Sequence, residues 1–136
     1  MKYDEMLKNQ TVSRKKPSDE EHRIQCACVR WFRFAYPKLK YVLFAVPNGG
    51  RRDDITGAKL KEEGATAGVS DLILLRSNRH YGALCVEMKT AKGKQSDAQK
   101  KWQSEIERMG SKYIICRSFD DFQREVIEYL KDVSYG

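Results

Sequence analysis

A glutamate and a lysine, Glu87 and Lys89, stand two residues apart in the stretch "LCVEMKT", at the end of an apolar run. Residues two apart on a β-strand point to the same face of a sheet, so these charged side chains would lie next to each other. They would form either an ion pair on a solvated sheet face or part of a catalytic site. By itself the Glu-x-Lys pattern favours the ion pair, because it is too short to specify a site.

A second acidic residue supports the catalytic alternative. Asp71 follows "GVS" and begins the apolar run "LILL", where a carboxylate is costly unless another group pairs with it. If the runs that contain Asp71 and Glu87 pair in register as a hairpin, their carboxylates converge at one edge of the sheet. A divalent cation would remove their repulsion, and hard oxygen ligands select Mg²⁺ or Mn²⁺. Lys89 could then polarise or deprotonate a water, or stabilise charge on a phosphate.

Gln99 could complete such a site from a following helix. It shares a helical face with Trp102, Ile106 and Met109, so we expect it to point inward. The alternative is structural, because Ser96-x-x-Gln99 is also a capping box, in which the amide reaches back to the first N–H of the helix. Both interpretations stay open at this point, and we expect one side chain not to serve both in one geometry.

Glu21 poses the same choice on the first predicted helix, which opens at Ser18 after Pro17 and ends before Pro37. Glu21 precedes the apolar face by one turn and could face the sheet edge, yet Ser18-x-x-Glu21 is also a capping box. The apolar face of this helix is predicted to consist of Ile24, Cys28, Trp31 and Ala35.

Further apolar runs predict the elements that position these residues. The run 41–46 predicts a buried strand, and "ITGAKLKEEG" predicts a short helix closing at Gly64. The runs "SDLILLRS" and "YGALCVEMK" predict an antiparallel hairpin, and "KYIICRS" a further strand. Helices are predicted from Ser96 to Met109 and from Ser118 onward, the last with an apolar side of Phe122, Val126 and either Tyr129 or Leu130. The order α-β-(α)-β-β-α-β-α indicates one α/β domain, a mixed central sheet flanked by helices.

The composition bounds the partners and the compartment. With 136 residues and 40% apolar content, we expect one folded domain at 18–136 after a basic, flexible arm at 1–17. The net charge of +7 favours nucleic acid before an anionic membrane surface. No run approaches the roughly 20 apolar residues of a membrane span. The four cysteines are interpreted as buried apolar residues in a reducing, cytoplasmic compartment, and the two histidines as incidental.

Taken together, these stretches resemble the virus-type replication–repair nuclease (VRR-NUC) domain of the PD-(D/E)xK nuclease superfamily. The resemblance rests on "EEHRIQCACVRWFR", "VPNGG", "TAGVSDLILL", "VEMKTAKGKQSDAQKKWQSEIERMG" and "YIICRSFDDF", which span nearly all of residues 18–130. Ser70 departs from the proline that the superfamily name places before the aspartate. In the superfamily this proline shapes the backbone and supplies no ligand, so its replacement by Ser70 removes none of the expected site residues.

The resemblance implies a restriction-endonuclease-like fold and a role for each site residue. Asp71 and Glu87 are expected to be the metal ligands, with the main-chain carbonyl of Met88 between them. Glu21 is expected to bind or orient a water on the metal. Lys89 resembles the catalytic lysine that activates the attacking water, and the fifth residue, Gln99, resembles the helix glutamine that orients the site.

The implied activity is Mg²⁺- or Mn²⁺-dependent hydrolysis of DNA, without an organic cofactor. Stand-alone members of the resembled family act as dimers on branched DNA such as four-way (Holliday) junctions, so the resemblance implies a homodimer with this kind of substrate. The expected location is the cytoplasm of a bacterium or of the bacterial host of a phage. Basic residues expected to bind DNA are Arg14, Lys15, Lys16, Lys59, Lys61, Lys92 and Lys94, together with Asn48, Arg51 and Arg52 of "PNGGRR". The alternatives are a flap-type or sequence-specific nuclease of the same fold, or a DNA-binding module without catalysis.

Overall fold

The computed structural model describes residues 17–47 and 54–134 of the chain. These residues contain four α-helices, four β-strands and one 3₁₀ turn. This order confirms the predicted sequence of elements. Residues 1–16 of the predicted arm lie outside the described residues, and its last residue, Pro17, is instead the first residue of a helix. In chain order the elements are α1 (Pro17–Ala35), the 3₁₀ turn (Pro37–Leu39), β1 (Leu43–Ala45), α2 (Asp54–Glu62), β2 (Leu72–Leu74), β3 (Leu84–Met88), α3 (Asp97–Arg108), β4 (Lys112–Cys116) and α4 (Phe119–Leu130).

The strands form one mixed sheet in the order β1-β2-β3-β4. β1 and β3 run antiparallel to β2, whereas β4 runs parallel to β3. The hairpin register pairs Leu72 with Val86, so the next opposed positions are Asp71 and Glu87. The predicted hairpin is therefore confirmed, and its register brings the two carboxylates to the same end of the sheet.

The central strand β3 is buried along its whole length. A strand covered on both faces is expected to be a continuous apolar run, and "LCV" and Met88 fit that rule. Glu87 does not fit it, because its side chain is only 1% exposed although it carries a carboxylate. An ionisable group buried in this position marks the sheet end beside β2 as chemically unusual.

The strand predicted within 41–46 is present at Leu43–Ala45, but the prediction that it is buried is wrong. Only Leu43 of β1 is buried, while Phe44 is 41% exposed and Ala45 is exposed. The physical reason is that β1 pairs only with β2 and forms the edge of the sheet. Its apolar composition resembles that of a central strand, but within the described residues two of its three residues are exposed.

Helices α1 and α4 pack together on the sheet. Cys28 and Phe32 of α1 are fully buried, and Trp31 makes edge-on ring contacts with Phe119 and Phe122 at 6.3 and 6.0 Å. The predicted apolar face of α1 needs one correction. Ala35 is exposed at the end of the helix, and Phe32 belongs to the buried face in its place. The predicted apolar side of α4 is confirmed by the buried Phe122 and Val126, and both alternatives for its last position, Tyr129 and Leu130, are buried as well.

Helix α3 connects β3 to the parallel strand β4. It begins after the N-cap Ser96 and ends at the C-cap Met109, followed by Gly110 with a φ of 95°. Trp102 on its inner face makes an edge-on contact with Tyr113 of β4 at 6.2 Å. Met109, predicted to share this face, is 70% exposed, because the helix ends there and the chain turns away.

Candidate active site

Asp71 is held at the start of β2 by the backbone of β3. Its Oδ2 accepts a hydrogen bond of 2.7 Å from the Met88 main-chain N–H. The preceding Ser70 is fully buried, and its hydroxyl donates to the Leu72 carbonyl at 3.0 Å. Ser70 therefore stabilises the turn into β2, which is the part that a proline would otherwise shape.

The Glu87 carboxylate is buried with only half of its hydrogen-bonding capacity used. Its Oε2 accepts a bond of 2.9 Å from the Gln99 side-chain amide, whereas its buried Oε1 has no hydrogen-bond partner among the described residues. Burial raises the pKa of Glu87 to about 8; the negative charge of Asp71 adds to this rise and the positive charge of Lys89 opposes it. A buried carboxylate with a free oxygen is costly, and a ligand that supplies positive charge would remove that cost.

Gln99 makes both of the contacts that its sequence position suggested, one in the helix cap and one in the candidate site. Its carbonyl Oε1 accepts a bond of 2.8 Å from the Ser96 N–H, which completes the capping box with the Ser96 hydroxyl. At the same time its Nε2 donates to Glu87. The expectation that one geometry excludes one of the two roles is wrong, because a side-chain amide carries an acceptor and a donor on different atoms.

Glu21 faces the same cleft from α1. Burial raises its pKa, and so does the charge of Asp71; the nearby Lys89 and a hydrogen bond from the Thr90 backbone lower the pKa. The predicted capping box is wrong, because α1 begins at Pro17 and Ser18 lies inside its first turn rather than at the N-cap position. Glu21 instead lines the cleft together with Asp71 and Glu87.

All five residues predicted to be catalytic line one cleft of about 360 Å³. Glu21 comes from α1, Asp71 from the start of β2, Glu87 and Lys89 from the end of β3, and Gln99 from α3. Other lining residues are Ala67, Gly68, Val69, Met88 and Ser96. The structure thus brings the predicted set together, while the role of each residue stays a prediction.

Gly68 is a determinant of this cleft that the sequence reasoning missed. It has a φ of +85°, and a Cβ at this position would lie 2.2 Å from the Ala98 carbonyl oxygen. Only glycine allows the chain to pass this close to the first turn of α3, and that turn carries Gln99. The glycine three residues before Asp71 in "GVSD" was the available signal.

Arg117 is a second missed residue, and it stabilises the loop after Lys89. Its guanidinium donates to the Thr90 and Gly93 carbonyls, both at 2.7 Å, and to that of Ala91 at 3.4 Å. These three bonds order the turn that leads away from the site. No pattern in the sequence indicated this role, because Arg117 follows β4 and is 24 to 27 residues from its partners.

The basic residues predicted to bind DNA are placed only in part. Lys92 and Lys94 are exposed on the loop that follows Lys89, and Lys59 and Lys61 are exposed on α2. The other predicted residues lie outside the described residues: Arg14, Lys15, Lys16, Asn48, Arg51 and Arg52.

The donor set fits a hard divalent cation of the kind that keeps several waters. Within residues 17–47 and 54–134, no three His, Cys, Asp or Glu side chains converge closely enough to hold a metal by themselves. Mg²⁺ is usually bound by one or two carboxylates plus waters, and the site offers Asp71, Glu87 and a main-chain carbonyl. The buried, unpartnered Oε1 of Glu87 is the observation that favours such a ligand.

Comparison with known proteins agrees with this geometry. A sequence model of the VRR-NUC domain matches residues 19–120, so the chain belongs to the VRR-NUC domain family. A solved structure described as a VRR_NUC domain protein superposes with a TM-score of 0.73 at 22% identity, over 85% of this chain and 92% of that one. Among curated proteins, no sequence matches. The predicted family and α/β fold are confirmed, and the fold is of the nuclease type.

None of the helices in the described ranges combines the length and apolar character needed to cross a bilayer.

Proposed function

We propose that this chain is a Mg²⁺- or Mn²⁺-dependent nuclease that hydrolyses phosphodiester bonds in DNA. The observation that supports this most strongly is the buried Glu87 carboxylate, with a free Oε1, opposite Asp71 in the cleft that Lys89 also lines. A solvated ion pair, which was the simpler interpretation of Glu-x-Lys, does not account for a glutamate that is 1% exposed. The VRR-NUC family membership supports the same reaction class.

Each site residue then has a proposed task. Asp71, Glu87 and the Met88 carbonyl would hold the cation, which when bound supplies Lewis-acid stabilisation of the phosphate and a nucleophile at neutral pH. Lys89 would orient the attacking water and stabilise negative charge on the phosphate. Gln99 fixes the Glu87 carboxylate through its 2.9 Å bond. The remaining carboxylate, Glu21, would accept hydrogen bonds from water in the cleft.

The substrate is proposed to be branched DNA, such as four-way junctions, cut by a homodimer. The net charge of +7 supports a polyanionic partner, and exposed Lys92 and Lys94 follow the site directly. A dimer would present two clefts to two strands. The proposed compartment is the cytoplasm of a bacterium, or that of a phage's bacterial host.

Cleavage of a panel of DNA structures tests this proposal. Flaps, splayed arms, four-way junctions and plain duplex are incubated with the protein in Mg²⁺, in Mn²⁺ and in EDTA. We expect metal-dependent cutting that is fastest on four-way junctions. Cutting of flaps alone would favour the flap nuclease, and cutting at one sequence in plain duplex would favour the sequence-specific alternative. Metal-independent binding without any cutting would favour the non-catalytic module.

A further inference from the structure

A second groove, of about 550 Å³, continues from the catalytic cleft along α1. Glu21 and Asp71 line both the cleft and this groove, so the two depressions adjoin at these side chains. The other residues that line the groove are His22, Gln25, Cys26, Val29, Arg30 and Arg33. From Glu21 to Arg33 the helix rises about 18 Å, which is several times the size of one phosphate group.

The two arginines of the groove are available to an external anion. Arg30 and Arg33 are exposed, and neither makes an ion pair with any residue in the described ranges. Three other basic side chains, on or directly after the helices α3 and α4, form ion pairs instead. Arg108, Arg124 and Lys131 each pair with an acidic residue three positions away. An unpaired arginine next to a site for phosphate chemistry is suited to bind a phosphate with its planar guanidinium.

We infer that this α1 groove binds the phosphate backbone of the DNA strand that enters the cleft. The inference rests on the proposed function and adds to it a binding track, defined by Gln25, Arg30 and Arg33. Contacts of this kind position a strand without reading its bases. The track lies on a regular helix, so it is in place before the DNA arrives.

The salt dependence of DNA binding tests the charge part of this inference. Binding is measured in EDTA, so that the DNA stays intact, for the wild type and the double variant Arg30→Gln/Arg33→Gln. Each lost phosphate contact should lower the slope of log affinity against log salt by about 0.7 to 0.9, so the double variant should lose about 1.4 to 1.8. The matched control is Arg79→Gln, since Arg79 is exposed on the β2–β3 connection at the other end of the hairpin, and its slope should stay close to that of the wild type.

Cys26 gives a test that does not depend on cleavage activity. Of the four cysteines in the sequence, only Cys26 is exposed, which corrects its prediction as a buried residue, and its thiol lies in the groove. Iodoacetamide alkylates exposed thiols, and mass spectrometry measures the rate of this reaction at Cys26. We expect DNA to slow it in the wild type and in Arg79→Gln. The Arg30→Gln/Arg33→Gln variant at the same DNA concentration should show little protection.

The possible outcomes distinguish a failure of the proposed binding track from a failure of the proposed nuclease function. If the wild type binds and cuts DNA while DNA leaves the Cys26 alkylation rate unchanged, or while the double variant keeps the wild-type salt slope, the track is wrong and the nuclease assignment stands. If the wild type neither binds nor cuts DNA in any of these conditions, the proposed function fails and the track fails with it.

Discussion

The side-chain amide of Gln99 connects a helix cap to a buried carboxylate. Its oxygen accepts from the Ser96 N–H at 2.8 Å, and its nitrogen donates to Glu87 Oε2 at 2.9 Å. The capping bond fixes where the amide lies, and the second bond uses that position to orient Glu87. The start of α3 therefore serves as the support of the site, and two variants can separate the two contributions.

The first prediction compares Gln99→Ala with Ser96→Ala. Each variant removes one half of the capping box and should lower the free energy of unfolding by about 1 kcal/mol. Only Gln99→Ala also removes the partner of Glu87, and losing a group that orients a metal ligand typically costs about 10- to 100-fold in metal affinity. We expect Mn²⁺ affinity, measured by calorimetric titration, to fall by that amount in Gln99→Ala and to stay near the wild-type value in Ser96→Ala. Equal Mn²⁺ affinities in the two variants would show that the glutamine is only a cap.

Much of the site could be predicted because it depends on local patterns. The hairpin register follows from two apolar runs, and it places Asp71 opposite Glu87. The cap at Ser96 and the inward face of α3 follow from short-range spacing, and together they place Gln99. Each of these relationships is set by residues close in sequence or by neighbouring strands.

The features that could not be predicted depend on contacts between distant segments. Arg117 stabilises the loop after Lys89 from the end of the neighbouring strand β4, and no spacing rule connects the two segments. The close approach of Gly68 to Ala98 becomes visible only once the chain is folded. Exposure of Phe44 depends on which strand forms the sheet edge, since composition alone does not distinguish an apolar edge strand from a central one.

The second prediction concerns the pH dependence of stability without metal. Folding raises the pKa of Glu87 from its ordinary 4.5 to about 8, so the folded state binds this proton more tightly than the unfolded chain does. The contribution of Glu87 to stability is therefore full below pH 4.5 and is lost as the pH rises towards about 8, at up to roughly 1.4 kcal/mol per pH unit. Urea unfolding in EDTA between pH 5 and 8 should show wild type losing stability relative to Glu87→Gln. If the free energies of unfolding of the two proteins change in parallel with pH, the raised pKa of Glu87 is contradicted.

The third prediction tests the contact between the loop before β2 and α3. Gly68→Ala must place a Cβ against the Ala98 carbonyl at a positive φ, and we expect it to destabilise the fold by at least about 1 kcal/mol and to abolish cleavage. Gly57→Ala is the matched control, because Gly57 lies within α2 and nothing is within 4 Å of an added Cβ. That control should gain up to about 1 kcal/mol. Chemical denaturation measures both, and a neutral Gly68→Ala would exclude the close approach.

The fourth prediction concerns the loop after Lys89. Arg117→Gln removes a cation that bonds to the Thr90 and Gly93 carbonyls, so the backbone amides of residues 90–93 should exchange hydrogen faster and cleavage should slow. Arg108→Gln is the control, because Arg108 makes an exposed ion pair with Glu105 on α3, and such pairs contribute less than about 1 kcal/mol. Unchanged exchange at residues 90–93 in Arg117→Gln would argue against this role.

The most direct test of the proposed metal-dependent nuclease is cleavage of four-way junction DNA by the wild type and by Asp71→Ala, Glu87→Ala and Lys89→Ala. DNA binding is measured in parallel, so that a loss of cutting is separated from a loss of binding. We predict that the wild type cuts with Mg²⁺ or Mn²⁺ and stops when EDTA is added, and that each variant still binds DNA but does not cut it. Full cleavage by all three variants, or wild-type cleavage that continues in EDTA, would contradict the proposal.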